Sequence, residues 1–303
     1  MTPSQPPAAP RQTLSFLKGL LEARGLRPNH RLGQNFLIDL NLLDLIARTA
    51  ELDATDVVLE VGCGTGSLTG RLAASAGAVL AVEIDPGFLA LARDLTAIHA
   101  NVEFIQGDIL KNKNTLNPAV VDRLRTLRAQ PGRQRLKLVA NLPYVVATPV
   151  IANLLLSDLD LERIVTTVQW ELAARFAARP STSDYGVISV LAQALADVTV
   201  VRRLPPSAFW PRPKVESGIL LIVPNADKRA AVGDVASFHR FIHKLYQHRR
   251  KNLRGALLPH LSDHFTKPAL DEVLARHGFD PACRAESLDV ADHLRLWRAF
   301  EPQ

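Results

Sequence analysis

The sequence contains few cysteines, and several common catalytic patterns are missing from it. Only two cysteines, Cys63 and Cys283, occur among 303 residues. They lie far apart and match no metal-ligand spacing, which argues against a disulfide scaffold or a metal site and suits a reducing compartment such as the cytoplasm. The sequence has no Gly-x-Ser-x-Gly elbow and no Cys-His nucleophile pair, so it does not indicate covalent hydrolase chemistry.

Long apolar runs and a signal-peptide core are also missing. No stretch approaches the ~20 apolar residues that span a membrane, so we expect a protein that is not integral to one. The opening "MTPSQPPAAPRQ" is Pro-rich and predicts a flexible tail, and "TLSFLKGLLEARG" has the apolar spacing of a short helix. These two stretches form the predicted N-terminal segment, residues 1–30. The alternative is a transit peptide, but prolines would break its amphipathic helix.

The remaining composition is that of an ordinary globular protein. Hydrophobic residues make up 47% of the chain, and the formal net charge is +6. This length allows one large core and a smaller second one. The positive charge favours a polyanionic partner only weakly, because many basic proteins bind no nucleic acid.

From about residue 39 the pattern alternates between helix and strand. Five short apolar segments separated by helical ones have the character of buried strands, at 56–62, 78–85, 101–108, 135–144 and 163–170. This alternation predicts a doubly wound α/β fold, in which ligands lie beyond the carboxyl ends of the strands. After Pro224 the pattern is helical. We therefore expect a sheet domain over 31–224, with a helix-containing surface insertion at 111–135, and an all-helical domain over 225–303.

A glycine-rich turn follows the first of these strands. The stretch "EVGCGTG" places Gly62, Gly64 and Gly66 between a strand and a helix, where glycines let a ligand approach the backbone and the helix start offers free N–H groups. A dinucleotide site would need a glycine at the position of Ser67, so that fingerprint fails. A turn without a ligand remains the alternative at this point.

Acidic residues end the next two strands. Glu83 lies about twenty residues after the glycine turn, where a carboxylate can accept both ribose hydroxyls of a nucleoside. Asp85 competes for that role, but is better placed to cap the helix that begins at Pro86. Asp108 is positioned to accept from an adenine amino group, with a solvated acid as the alternative. A nucleoside without a phosphate clamp fits S-adenosylmethionine better than NAD or ATP.

The fourth strand ends in "NLPY", residues Asn141, Leu142, Pro143 and Tyr144. Beside a methyl donor, this turn suits attack by the exocyclic amine of adenine, a poor nucleophile. The side-chain oxygen of Asn141 and a backbone carbonyl of Leu142 or Pro143 can accept its two N–H groups and aim its lone pair at the methyl. Pro143 fixes the turn, and Tyr144 offers a stacking surface for an unstacked base.

Over nearly the whole chain from residue 31, the sequence resembles the small-subunit ribosomal RNA adenine N6,N6-dimethyltransferases. Besides "EVGCGTG" and "NLPY", the motifs that carry the resemblance are "RLGQNFL" (31–37), "YGVISVLAQ" (185–193), "PPSAFWPRPKVES" (205–217), "QHRRKNLRGAL" (247–257) and "DPACRAESL" (280–288). The C-terminal motifs separate it from general DNA adenine methylases. The resemblance implies a Rossmann-like class I methyltransferase domain, S-adenosylmethionine as cofactor, and dimethylation of adjacent adenines near the 3′ end of the rRNA during ribosome biogenesis.

The resemblance also implies roles for single residues. It places Asn35 and Leu37 over the cofactor, Gly62, Glu83 and Asp108 against it, and Asn141 between cofactor and target amine. It places Phe209 against the base, opposite Tyr144. The sequence departs from the family pattern at Val145, Val146 and Ala147, where Asn-Ile-Ser/Thr is usual, and at Trp170, where lysine is usual. These departures concern the substrate side of the site.

A basic run occupies the start of the predicted helical domain. In "HRFIHKLYQHRRKNLRG", Arg249, Arg250, Lys251 and Arg254 are predicted to contact RNA phosphates, and a solvated helix face is the alternative. The His239/His243 and His260/His264 pairs lack an evident third ligand, so we expect no metal.

We expect an enzyme that acts as a monomer on small-subunit rRNA in a pre-ribosomal particle in the cytoplasm. Two rival hypotheses stay open: a large-subunit rRNA methyltransferase of the macrolide-resistance type, and a non-catalytic RNA- or DNA-binding assembly factor on the same fold.

Overall fold

A computed structural model describes residues 13–29, 32–262 and 265–300. The predicted flexible tail begins with residues 1–12, which lie outside this range. The strands are β1 (Phe36–Leu37), β2 (Asp56–Val61), β3 (Ala78–Glu83), β4 (Val102–Gln106), β5 (Leu110–Asn112), β6 (Thr115–Leu116), β7 (Arg135–Asn141), β8 (Leu161–Gln169), β9 (Ala196–Leu204), β10 (Phe209–Trp210) and β11 (Ser217–Pro224).

The α-helices of the described residues are α1 (Leu14–Ala23), α2 (Leu40–Thr49), α3 (Ser67–Ala73), α4 (Pro86–Leu95), α5 (Pro118–Arg128), α6 (Tyr144–Leu156), α7 (Trp170–Phe176), α8 (Val187–Leu195), α9 (Ala226–Val232), α10 (Val235–Gln247), α11 (Leu253–Leu261), α12 (Lys267–Arg276) and α13 (Val290–Phe300). None of them is long and apolar enough to cross a membrane.

The central sheet has seven strands in the order β4-β3-β2-β7-β8-β11-β9. Strands β4, β3, β2, β7 and β8 pair in parallel, which confirms the predicted Rossmann-like architecture. Chain order runs outward from β2 to β4 on one side and from β7 to β8 on the other. The order therefore reverses between β2 and β7, and such a switch point opens a crevice beyond the strand ends. The glycine-rich turn and the "NLPY" turn both begin there.

The sequence signals explain how the helices beside this crevice begin. Asp39 caps α2 and Asp85 caps α4, each by accepting backbone N–H groups of the first turn, as predicted. Pro86 occupies the first turn of α4, where its missing N–H costs nothing. Every residue of β2 and β3 is buried, as expected for strands covered on both faces.

The chain divides into two compact units. Unit 1 comprises residues 1–170 and 200–221, and unit 2 comprises residues 171–199 and 222–303. Residues 171–199, which include α8 and all of α7 except Trp170, thus group with the C-terminal helices rather than with the sheet. This differs from the predicted boundary near residue 225. The reason is visible in unit 2 itself, where Ser181 N–H donates to Glu286 O at 2.7 Å and Tyr185 packs near His293.

Candidate active site

A cleft of about 240 Å³ lies at the switch point of the sheet in unit 1. Many of the predicted site residues line it: Asn35, Gly62, Gly64, Glu83, Asp108, Asn141 and Pro143. They come from five separate segments of the chain. The structure thus brings together the glycine-rich turn, both acidic strand ends and the amide of the "NLPY" turn, as the sequence predicts for one ligand site.

The glycines of the turn are required by both backbone and packing. Gly62 and Gly64 have φ angles of +74° and +54°, in the left-handed region that favours glycine. A Cβ on Gly62 would lie 2.8 Å from Pro143, and one on Gly64 would lie 2.8 Å from Phe36. The glycine turn is therefore overlaid by the "NLPY" turn and by β1. Gly66, at φ +75°, packs against Ala92 of α4 and does not line the cleft.

Glu83 holds the glycine turn in place. Its carboxylate accepts from Gly64 N–H at 2.9 Å and from Asp85 N–H at 3.0 Å. Burial raises the pKa of this carboxyl, and the residue is only 5% exposed. Asp108 is an exposed residue of the cleft lining, and one of its oxygens accepts from Leu110 N–H at 2.9 Å.

Two hydrogen bonds fix the orientation of the Asn141 amide. Its Nδ2 donates to the backbone oxygen of Asn35 at 2.9 Å, and its Oδ1 accepts from the hydroxyl of Thr167. Asn141 ends β7, and Thr167 is its register partner on β8. With one lone pair occupied by Thr167, the second lone pair of Oδ1 remains available as an acceptor in the cleft.

Sequence reasoning missed Thr167, although a signal existed. Thr167 stands near the carboxyl end of the strand after "NLPY", at the same edge of the sheet as Asn141. It is fully buried, so its hydroxyl needs a partner. Two adjacent threonines in an otherwise apolar strand end were the clue.

Replacing Thr167 with valine removes this hydroxyl while keeping shape and β-branching. If the site transfers methyl groups, we expect kcat to fall about tenfold, because the Asn141 amide loses one of its two anchors. The KM for S-adenosylmethionine should change little, and Thr167→Ser should restore most of kcat. Steady-state kinetics of the three proteins measures this. Equal losses in the serine and valine variants would contradict the positioning role.

The remaining predicted residues of the site lie outside the cleft lining. Tyr144 is half-buried, and its hydroxyl shares a 2.6 Å hydrogen bond with the hydroxyl of Ser217, a partner that the sequence did not reveal. Leu142 is buried. Leu37 and Phe209 pair across β1 and β10 and belong to one hydrophobic cluster, in which Phe209 is only 2% exposed. Cofactor contact by Leu37 and base stacking by Phe209 stay predictions.

The departures from the family pattern do not all line the cleft, because Ala147 is buried and Trp170 lies outside the lining. Val145 is 66% exposed and lines the cleft together with Val146. The guanidinium carbon of Arg203 lies over the indole ring of Trp170, 4.4 Å from the ring centroid. Arg203 also forms an ion pair with Glu216. An aromatic-cation pair thus occupies the position where lysine is usual.

Glu60 forms a buried acidic site at the end of β2, just before the glycine turn. It is 2% exposed, and its Oε2 has no hydrogen-bond partner among the residues that the structure describes. Burial raises the pKa of this carboxyl to about 8. At neutral pH the group is therefore mainly protonated, which lowers the cost of keeping it away from water.

This pKa predicts a pH-dependent stability. The folded chain holds the Glu60 proton up to about pH 8, whereas the unfolded chain loses it near the ordinary value of 4.5. Stability should therefore fall as the pH rises through this window, by at most about 1.4 kcal/mol per pH unit. Glu60→Gln removes that loss, because glutamine does not ionise. In urea unfolding at pH 5, 6.5 and 8, the free energy of unfolding of the variant should therefore increase steadily relative to that of the wild type. A difference that is constant with pH would contradict the assignment.

The predicted RNA-binding cations of unit 2 divide into two pairs. Arg249 is tied to Glu286 at 2.8 Å and donates to Ser183 O at 2.6 Å, and Arg254 pairs with Asp271 at 2.6 Å. Arg250 and Lys251 are exposed, and neither has an ion pair within the described ranges. RNA contact by all four stays a prediction, but Arg249 and Arg254 already form ion pairs within unit 2.

The histidine pairs can be placed only in part. The rings of His239 and His243 lie 6.3 Å apart, whereas His264 lies outside the described residues. Over 13–29, 32–262 and 265–300, no group of three or more His, Cys, Asp or Glu side chains is placed to hold a metal ion.

Comparisons with known proteins identify a family and several relatives of this chain. A family model described as ribosomal RNA adenine dimethylase matches residues 25–297. The ribosomal RNA small subunit methyltransferase A of Moorella thermoacetica is 37% identical over 97% of this chain and 98% of its own, and that of Geobacter metallireducens is 37% identical over 92% and 98%. The crystal structure of a dimethyladenosine transferase from Plasmodium falciparum superposes with a TM-score of 0.70, at 25% identity over 85% of this chain and 94% of its own.

Proposed function

The chain belongs to the ribosomal RNA adenine dimethylase family, and on that basis we propose that it transfers methyl groups from S-adenosylmethionine to N6 of adjacent adenines near the 3′ end of small-subunit rRNA. The observation that carries this proposal is the cleft at the switch point. It joins the glycine turn, where we place the nucleoside of the cofactor, to the oriented amide of Asn141. The curated relatives with 35–37% identity are small-subunit enzymes, which favours this substrate over large-subunit rRNA.

The residues of the cleft fit S-adenosylmethionine. Gly62 and Gly64 adopt the left-handed backbone conformation and present backbone without side chains to the cleft. A larger residue at either position would clash with Pro143 or Phe36. Glu83 lies beside them to accept from ribose hydroxyls, and Asp108 to accept from the adenine amino group. Asn35 covers the site from the N-terminal side. When bound, the cofactor supplies an electrophilic methyl group on a sulfonium.

The protein's own part in the reaction is to position the target amine. Asn141 Oδ1, turned by Thr167 and Asn35, accepts one N–H of the adenine amine, and a backbone carbonyl of Leu142 or Pro143 accepts the other. These acceptors favour a pyramidal nitrogen whose lone pair points along the line of displacement. Val145 and Val146 give the cleft an apolar edge beside these acceptors. Catalysis then comes from positioning and fixed dipoles rather than from a strong base.

The biological setting forms part of the proposal. The substrate is rRNA within a pre-ribosomal particle, reached in the cytoplasm by a monomer that requires no metal. Residues 225–303 supply the main rRNA-binding surface, including the exposed Arg250 and Lys251. The half-buried Tyr144 stacks on the unstacked base, whereas Phe209, only 2% exposed, would have to leave its hydrophobic cluster to reach it.

The direct biochemical test uses small ribosomal subunits that lack these methyl groups. Purified protein and methyl-labelled S-adenosylmethionine should label their rRNA, and nuclease digestion should release N6,N6-dimethyladenosine. Large subunits should acquire no label. Labelling of large subunits alone would favour the macrolide-resistance type, and no labelling of either would favour a non-catalytic assembly factor.

A further inference from the structure

A second cavity lies within unit 2, between α10, α11 and α13. Its volume is about 170 Å³, and it has an aromatic floor that includes Phe241, Trp297 and Phe300. The rim carries Arg240, Lys244 and His260. No acidic side chain lines this cavity in the part of the chain that the structure describes. Its chemistry is therefore aromatic inside and cationic at the edge.

The cations of the rim are not neutralised by the protein. Arg240 and Lys244 lie four residues apart on α10, so they project from the same face of the helix. Both are exposed, and within 13–29, 32–262 and 265–300 neither forms an ion pair. This distinguishes them from Arg249 and Arg254, whose charges are already paired.

His260 adds an unsatisfied polar atom at the same place. Its ring stacks on His248 with centroids 5.9 Å apart. Its Nε2 is buried without a hydrogen-bond partner among the described residues. A buried polar nitrogen in a cavity wall costs free energy unless a bound group completes its hydrogen bond.

We propose that this cavity binds one nucleotide of the rRNA substrate at a distance from the methylated adenine. The base packs against the aromatic floor, Arg240 and Lys244 hold the adjoining phosphates, and Nε2 of His260 bonds a sugar hydroxyl or a base edge. The proposal rests on the proposed function, which makes an RNA the partner. An acidic peptide would match the cations but would leave the aromatic floor unused, whereas unpaired RNA bases are commonly held by aromatic side chains beside a basic rim.

The first test removes the two rim charges. In the full-length protein, Arg240→Ala/Lys244→Ala should weaken binding to unmethylated small subunits by about tenfold or more, and should flatten the slope of log affinity against log salt by about 1.4 to 1.8. The matched control is Lys267→Ala/Arg276→Ala, which removes two exposed charges of α12 that have no ion pair among the described residues. If both double variants bind alike, the proposal is wrong.

The second test fills the cavity and keeps its charges. Leu261 lines the cavity at the end of α11, and Leu261→Trp should lower affinity by about fivefold or more if a base enters. Unchanged affinity would show that no base enters and would overturn the proposal. Thermal unfolding and S-adenosylmethionine binding, both expected to match the wild type, verify folding. Wild-type protein that binds no small subunits would instead refute the proposed function, so the two failures are distinguishable.

Discussion

Replacing Asn141 with alanine is expected to reduce methyl transfer by about 10²- to 10³-fold, the loss typical of removing one preorganised polar group from a reacting centre. The physical reason is the fixed orientation of its amide. Thr167 and Asn35 hold Oδ1 and Nδ2 in place, so the acceptor needs no reorganisation when the amine arrives. Alanine supplies no acceptor, and water in its place would have no fixed direction. Affinity for S-adenosylmethionine should stay within a few-fold of wild type.

The matched control for this variant is Asn153→Ala. Asn153 lies on α6, the helix that begins at the "NLPY" turn, and its Nδ2 donates to the backbone oxygens of Lys113 and Pro149. It does not line the cleft. Single-turnover rates with unmethylated small subunits should therefore be nearly normal for Asn153→Ala. Similar losses in the two variants, or a large loss of cofactor affinity in Asn141→Ala, would contradict the assigned role.

Replacing Glu83 with alanine should produce the opposite pattern. We expect affinity for S-adenosylmethionine to fall by about 10- to 100-fold, because charge-assisted hydrogen bonds to the ribose are lost. The structure adds a second reason. Glu83 also accepts from Gly64 N–H, so the variant should loosen the glycine turn that lines the cleft. At saturating cofactor the rate of transfer should recover substantially, and isothermal titration calorimetry measures the affinity.

Asp85→Ala separates these effects from general damage at the strand end. Asp85 lies two residues from Glu83 and caps α4 through Gly87 N–H and Phe88 N–H. Its loss should cost about 1 kcal/mol of unfolding free energy, the usual value of a helix cap. It should leave cofactor affinity nearly unchanged. A stronger effect of Asp85→Ala on cofactor binding would reassign the ribose contact to Asp85.

The parts of the site that the sequence predicts share one property: they are determined locally. A strand that is followed by glycines or by Asn-x-Pro-Tyr ends at those residues. The carboxyl ends of parallel strands then lie at the same edge of the sheet. The cleft therefore collects Gly62, Gly64, Glu83, Asp108 and Asn141 as predicted from sequence order alone. The helix caps Asp39 and Asp85 are determined locally as well, because each lies directly before the helix that it caps.

The parts that the sequence does not predict depend on partners far along the chain. Nothing near Tyr144 indicates that its hydroxyl meets Ser217, seventy-three positions later. Charge alone does not show that Arg249 and Arg254 are paired while Arg250 is not. The grouping of 171–199 with unit 2 likewise depends on tertiary packing, since α7 and α8 directly follow the last parallel strand.

The most direct test of the account is primer extension along the 3′ region of small-subunit rRNA from cells that lack this protein, complemented with the wild type or with Asn141→Ala. Dimethylated adenines block base pairing and stop the reverse transcriptase. The account predicts stops at adjacent adenines with the wild-type protein, and none without it or with the Asn141→Ala variant. Stops of equal strength in all three strains would contradict it.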